Sequence, residues 1–352
     1  MRSFEDLDQL VGAVPFGVVA DLRTVDAGRG SQPLHRLVLP ELLEALAGHA
    51  RTASTEASCG MDGIVVSDRT RTAQVLARRI DGLRDRDEQE LAGYGAALDH
   101  LDDLDEDQRP RADVDLVLDL HRLLFRFTPT PGGRLRQVEN VVAGAAPDGA
   151  RVKRFTPVPV AATPAHLDEL VARYRRAQDA GRHHPVVLVG LFTLDLLAIH
   201  PFVAGNGRVA RMLTNALLQD AGYDVTRYVP VEPVMARSPE RYSTALLDST
   251  HDWHLSRHDP WPWLRYLVSA LADVTTQLAA LTSSARRAGS KQGRVRDHVL
   301  HHARPQFRIS EVRAGLPDVS DQTIRLVLAQ LRTEGLIEAD GVGRSATWSR
   351  RG

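Results

Sequence analysis

The sequence predicts a mainly α chain with one short β-hairpin before its central helices and a separate small domain at its C-terminal end. Three observations carry that reading. Apolar residues recur at helical spacing through most of the chain as far as Leu281. Only Val138 to Phe155 alternates like paired strands, around the turn signal Pro147-Asp148-Gly149. Thr282 to Gly293 then breaks all periodicity and reads as a linker to a segment of different character.

Length and composition bound the function. The chain has 352 residues, 43% of them hydrophobic and 25% charged, with a formal net charge of −1. That is enough for two or three domains and a sizeable core, in an ordinary globular composition. No global charge bias points at a polyanionic or polycationic partner. The cations are almost all arginine, since only Lys153 and Lys291 are lysines. Cys59 is the single cysteine, which rules out an intrachain disulfide and argues against a cysteine-based zinc site. No apolar run reaches membrane-spanning length, and Met1 to Leu10 is acidic and polar, unlike a secretion signal. The expectation is a cytoplasmic protein without membrane contact.

The elements follow in order. Residues 1 to 37 are mixed, with Gly28-Arg29-Gly30-Ser31 expected as a loop. A helix is predicted from Pro40 through Leu42, Leu43, Leu46 and Ala47, before the polar stretch Ser58 to Gly63. Residues 67 to 100 read as two helices, one with Val75, Leu76 and Ile80, the next with Leu91, Tyr94, Ala97 and Leu98. Asp102 to Asp115 is an acidic, solvated connection. Val114 to Leu124 is helical, Gly132 to Arg136 irregular, and Val138 to Val142 pairs with Arg151 to Phe155. Helices from Pro164 to Asp179 and across the apolar run Pro185 to Ile199 lead to the centre of the chain. The second must stop near His200, because the residue before a proline is pushed out of helical geometry. Gly207 to Asp220 is helical again, and Arg237 to Ser249 forms a later helix containing Tyr242. Trp253, Trp261, Trp263 and Tyr266 form an aromatic packing cluster.

The chemistry concentrates in His200-Pro201-Phe202-Val203-Ala204-Gly205-Asn206-Gly207-Arg208-Val209-Ala210-Arg211. Gly205 and Gly207 free the backbone to approach a ligand and aim amides into a concavity at the next helix's N-terminus, a ready anion site. Arg208 and Arg211 add two guanidinium groups one turn apart. A histidine, an amide cradle and two arginines within one loop read as phosphate chemistry with a general base.

This stretch closely resembles the signature of the Fic (Fido) family, His-x-Phe-x-[Asp/Glu]-Gly-Asn-Gly-Arg-x-x-Arg, with one departure. Where that family carries an acidic residue that binds magnesium, this chain has Ala204. The resemblance implies a Fic helical core with its flap hairpin, and transfer of AMP from ATP to a Ser, Thr or Tyr hydroxyl on a protein, the target including the chain itself. It makes His200 the general base. Gly205, Asn206, Gly207, Arg208 and Arg211 hold the phosphates, and Tyr242 stands near the adenine, although a packing tyrosine is an equal reading. Ala204 leaves no carboxylate for magnesium in the loop, so Mg2+ is expected to be weakly held, or another acid such as Asp195 or Asp62 stands in for it. Ser58 to Gly63 is similar to the family's inhibitory motif, with Asp62 in place of glutamate. There Ser58, Asp62 and Gly63 would let a carboxylate occupy Arg211, in a contact looser or absent because aspartate is one methylene shorter. Val138, Val141 and Val152 belong to the flap, whose backbone would pair with the target segment.

Beyond the linker, helices from Val295, Ile309 and Ser320 and a two-stranded wing around Gly341-Val342-Gly343, closing at Ser345 to Trp348, look like a winged helix-turn-helix. Arg286 to Gly352 holds 13 Lys/Arg against 7 Asp/Glu, a local +6 compatible with DNA contact. The domain reading is therefore 1–105 N-terminal helical region, 106–281 core, 282–293 linker and 294–352 winged helix, with a homodimer open. Two alternatives to the adenylyltransferase stand. One is a nucleotide-sensing DNA-binding regulator with a weak or inactive pocket. The other is an enzyme of the same kind using a different phosphate-containing donor.

Overall fold

The computed structural model describes residues 2–77, 82–103, 111–145, 151–340 and 347–350. The expected helical position Ile80, the turn Pro147 to Gly149 and the wing tip Gly341 to Gly343 with Ser345 and Ala346 lie outside those residues. The chain divides into two compact units, Met1–Arg36 with Leu43–Leu278, and Leu37–Leu42 with Ala279–Gly352.

The first unit is a helical assembly around two buried helices. In chain order it contains α1 (Leu7–Gly12), α2 (Phe16–Val38), α3 (Pro40–Met61), α4 (Arg69–Leu76), α5 (Arg86–Asp102) and α6 (Val114–Leu124). The hairpin β1 (Val142–Ala145) and β2 (Arg151–Phe155) follows, then α7 (Thr163–Ala180), α8 (Pro185–Ile199) and α9 (Asn206–Asp220). The short helices α10 (Val225–Tyr228) and α11 (Glu232–Ala236), then α12 (Pro239–Thr250) and the long α13 (Trp261–Gly289) as far as Leu278, complete it. α8 is buried on all sides, which explains why its sequence is apolar without a polar stripe. Each fully buried Val, Leu or Phe there contributes about 1.5–3 kcal/mol. Thr193 on α8 and Thr214 on α9 share a buried hydrogen bond of 2.7 Å that joins the two helices.

Three expectations are corrected. Gly28 to Ser31 is no loop but part of α2, which also accommodates Pro33. The reason is close packing: a Cβ on Gly28 would lie 2.2 Å from Thr275 Cγ2, so only glycine lets α2 approach α13. Residues 282–289 are not an irregular linker either, because α13 continues to Gly289 and the break comes at Ser290, which caps the next helix. Alanine and arginine have high helix propensity and sustain a helix where few side chains are buried. Asp195 is no reserve metal ligand: it is fully buried and accepts from the Ser3 amide, the Ser3 hydroxyl and Trp253 Nε1. Those bonds pin the N-terminal segment to α8.

In the second unit, α14 (Lys291–Asp297) runs into a π-helical turn at His298–His302, followed by β3 (Gln306–Arg308), α15 (Ile309–Gly315) and α16 (Asp321–Thr333). β4 (Ile337–Asp340) and β5 (Thr347–Arg350) complete an antiparallel sheet of order β3-β5-β4. The sequence suggested two strands; the third, Gln306-Phe307-Arg308, is too short to show alternation, although Phe307 points into the core. Val299, Phe307, Val312, Ile324, Leu328 and Ile337 form that unit's own hydrophobic cluster. Among the described residues, no helix is long and apolar enough to cross a membrane.

Candidate active site

The loop between α8 and α9 is built by constraint. His200 caps α8 in the left-handed conformation, φ 53° and ψ 62°, a geometry rare for a side-chain-bearing residue. It is held there from both sides. Its amide donates to Leu196 O at 2.9 Å, and Arg136 Nε donates to its carbonyl at 2.9 Å. Arg136 is itself buried, donates through Nη2 to the carbonyls of Val158 and Ile199, and donates its backbone amide to Pro201 O. Burial lowers the His200 imidazole to about pKa 4, with the Arg136 charge adding to the effect and a hydrogen bond to the Leu197 carbonyl opposing it. The ring is therefore neutral at pH 7. A neutral imidazole keeps one ring nitrogen as an acceptor.

Phe202 is fully buried and lies flat on His121 from α6, with ring centroids 3.7 Å apart and planes 2° apart. His121 accepts from the Gly133 amide at Nδ1 (2.9 Å), so its Nε2 carries the proton and donates to the Ala204 carbonyl (3.2 Å). Burial depresses this imidazole to about pKa 4 as well. Asn206 was expected to orient the phosphates. Its carboxamide is buried, accepting from Phe202 N at 3.0 Å and donating to Phe202 O at 2.8 Å. The side chain staples the loop through these two bonds, and its backbone amide lies in the first turn of α9.

Gly205, at φ 79°, is the N-cap of α9, and no side chain caps that end. The first-turn amides of α9 thus lack an internal side-chain acceptor, the condition under which a helix N-terminus takes an anion. A Cβ on Gly205 would sit 2.9 Å from Leu124 and Phe125, and one on Gly207 would sit 3.0 Å from Arg211 Nη1. The two glycines therefore keep both the loop and the space over the arginines open.

The arginines are already engaged. Arg208 Nε donates to Asp62 Oδ2 at 2.9 Å, and Arg211 Nη2 donates to Asp62 Oδ1 at 3.0 Å. Arg211 also donates to the Ser58 hydroxyl (2.7 Å) and the Ser58 carbonyl (2.8 Å). Gly63, at φ 80°, turns the chain directly after Asp62 at the end of α3. Asp62 spans both guanidinium groups, where sequence alone suggested a loose or absent contact to one. Burial works against the Arg211 charge, and Asp62, Tyr242 and Tyr94 more than offset it, so that arginine stays charged. Tyr242 is buried against Trp263 and Tyr266 and lies beside Arg211, a packing position within the arginine cluster.

The flap segment runs beside the loop: Asn140 Nδ2 donates to Val203 O at 3.4 Å. Val138 and Val141 are exposed there, and Val152 pairs in register with Gly144 across the hairpin. At the position of Ala204 the loop offers no carboxylate, Asp62 is committed to the arginines, and no metal-binding cluster occurs among the described residues. The residues present do not fit a protein-held magnesium ion. Cys59 is buried and pushed up to about pKa 12 by burial, so it is no nucleophile.

Sequence reasoning missed His121, Arg136 and Glu90. Glu90 on α5 receives Arg208 Nη2 at 2.8 Å and Arg86 Nε at 2.6 Å.

Residues 111–218 match the model of the Fic/DOC family. The chain thus carries a Fic/Fido domain. The protein adenylyltransferase Fic of Culex quinquefasciatus is 29% identical over 171 residues, covering 47% of this chain and 31% of that protein. The protein of the same name from Drosophila melanogaster is 30% identical over 171 residues, 47% of this chain and 32% of its own length. The matched part is about a third of those curated relatives. Among solved structures, a Fic family protein from Desulfovibrio desulfuricans superposes with a TM-score of 0.61 at 19% identity, covering 97% of each chain. Fic-1 from C. elegans gives 0.59 at 20% identity over 76% of this chain and 73% of that one. The likeness to these structures is one of fold.

Proposed function

We propose that the protein is an adenylyltransferase that moves AMP from ATP to a hydroxyl group on a protein. The observation that carries the reading is the convergence of an uncapped helix N-terminus, two guanidinium groups and a neutral imidazole on one loop. His200 takes the proton from the target hydroxyl through the unprotonated nitrogen of its neutral ring. The hydroxyl oxygen attacks the α-phosphorus, the bond to the α,β-bridging oxygen breaks, and pyrophosphate departs. Charge gathers on the leaving phosphates, where the first-turn amides of α9, Arg208 and Arg211 neutralise it. Asn206, Phe202 and His121 act by holding the loop in place. No step is routed through a metal, because no side chain of the loop is placed to hold one.

The resting arrangement is restrained. Asp62 occupies the donors that the β- and γ-phosphates need, so Ser58, Asp62 and Gly63 form an internal competitor to the nucleotide. The target segment lies along the flap beside Val138, Val141 and Val152, adding its backbone to the hairpin edge. Comparison of ATP labelled at the α- or the γ-phosphate tests the reaction class. Label retained on protein from the α position alone supports it, and label retained from the γ position would mean phosphoryl transfer instead.

A second reading rests on the C-terminal unit, read as a winged helix that contacts DNA. From Gln322 to Thr333, α16 carries two arginines and no carboxylate, with Gln322, Arg325, Leu326 and Ala329 exposed. Asp318, Asp321 and Glu334 are neutralised by Arg294, Arg313 and Arg296. Glutamine and arginine on a groove-sized helix suit base edges, and the small apolar residues suit thymine methyls.

A further inference from the structure

The fork of Arg208 is divided between two acids from two helices. Its Nε meets Asp62 after α3, its Nη2 meets Glu90 Oε2 on α5 at 2.8 Å, and its Nη1 has no hydrogen-bond partner among the described residues. The Arg208 and Glu90 side chains are 4% and 5% exposed, whereas Asp62 is 26% exposed. Arg86, 67% exposed, holds the other Glu90 oxygen from the surface at 2.6 Å.

From this geometry we infer that Glu90 is a second internal occupant of the phosphate site, acting on Arg208 from α5 as Asp62 acts on both arginines from the end of α3. The inference rests on the nucleotide reading above and deepens it by naming how the site is regulated. Asp62 and Glu90 offset the charge of the two guanidinium groups where a triphosphate needs positive charge. Displacing Asp62 removes the carboxylate from Arg211, which keeps its bonds to Ser58, and frees one donor of Arg208, while Glu90 still holds a second. Full opening therefore requires the loss of both acids. A buried arginine stripped of its partner is an uncompensated charge, and an arriving phosphate repairs it. Loss of Glu90 is accordingly expected to lower the stability of the free protein and to enlarge the stabilisation given by nucleotide.

The experiment is calorimetric titration of the full chain with ATP in the absence of divalent metal. The proteins are wild type, Asp62→Ala, Glu90→Gln and the double variant, each also melted with and without ATP. Glutamine keeps the side-chain volume and one neutral acceptor for Arg208. The double variant is expected to bind about tenfold more tightly than Asp62→Ala, the effect of one charge-assisted hydrogen bond no longer competed for. It is also expected to show the larger ATP-induced shift in melting temperature. Equal or weaker binding in the double variant would overturn the inference, because Glu90 would then merely steady Arg208. Failure of all four proteins to bind ATP would remove the nucleotide reading and this inference with it. Arg86→Ala, a surface change, gives an independent check. It leaves the Glu90 carboxylate wholly to Arg208, so ATP binding should weaken severalfold, and unchanged or tighter binding would contradict the role.

Discussion

Replacing His121 with alanine probes the loop without touching any group proposed to meet substrate. The imidazole is buried, stacked flat on Phe202 at 3.7 Å, bonded from the Gly133 amide and bonded to the Ala204 carbonyl. The stack is worth about 1 kcal/mol and each hydrogen bond about 1 kcal/mol. With the cavity left behind, the variant should lose roughly 3–4 kcal/mol of stability in the Fic unit. The same ring imposes a pH dependence. Its folded pKa is depressed from 6.5 to about 4 by burial. The unfolded chain therefore binds a proton that the folded one refuses: the stability is full above pH 6.5 and is lost as pH falls towards 4. Over that window the linkage amounts to about 3 kcal/mol. His200, depressed in the same direction by its own burial, adds to the trend. Thermal melts of wild type and His121→Ala between pH 7 and pH 4.5, with AMP transfer measured at pH 7, provide the assay. Transfer should fall at least about tenfold, because the Ala204 carbonyl and the flat face under Phe202 no longer fix the loop. A variant that melts lower yet transfers AMP within twofold of wild type would show that His121 only fills space, and the loop-holding argument would fail.

Three further outcomes follow from the same geometry. Asp62→Ala removes one carboxylate that accepts from both guanidinium groups and is a quarter exposed, so ATP affinity should rise about tenfold or more, discounted for solvent screening; calorimetry finding no change would mean that Asp62 does not compete with phosphate. Ala204→Glu restores an acid at the exposed loop position and should raise Mg2+-dependent labelling several-fold over the metal-free rate, whereas an unaltered metal response would show that this position does not limit the reaction. Arg325→Ala in the full chain should weaken retention of a random-sequence duplex and reduce the salt slope by about one; identical mobility shifts would remove α16 as a DNA contact.

The central loop was legible because its parts are contiguous. Glycines, asparagine and arginines in one stretch dictate a turn, an uncapped helix and a charge pair without reference to the rest of the chain. What sequence could not supply was the set of partners brought in from elsewhere. His121 reaches Ala204 across 83 positions and Arg136 reaches His200 across 64, so nothing local marks either as a loop support. Glu90 lies on an unremarkable polar turn of α5 until folding buries it against Arg208. The bonds from the Asn206 carboxamide to Phe202 were hidden for a related reason, since a carboxamide in a glycine-rich loop can face a ligand or its own backbone with equal ease. At the level of elements, Gly28 and Gly30 concealed α2, because the contact that requires Gly28 is made by Thr275 on α13. The Ser- and Arg-rich stretch after Leu281 concealed the end of α13, because an exposed helix leaves no apolar period to read.

The measurement that bears most directly on the account is single-turnover AMP transfer by Asp62→Ala with and without the additional change His200→Ala, alongside ATP binding by both proteins. The account predicts equal ATP affinity and a loss of transfer of about a hundredfold or more when the imidazole is removed, the size expected of a general base. Equal transfer by the two proteins would contradict it, since the histidine held in its left-handed turn would then have no part in the chemistry.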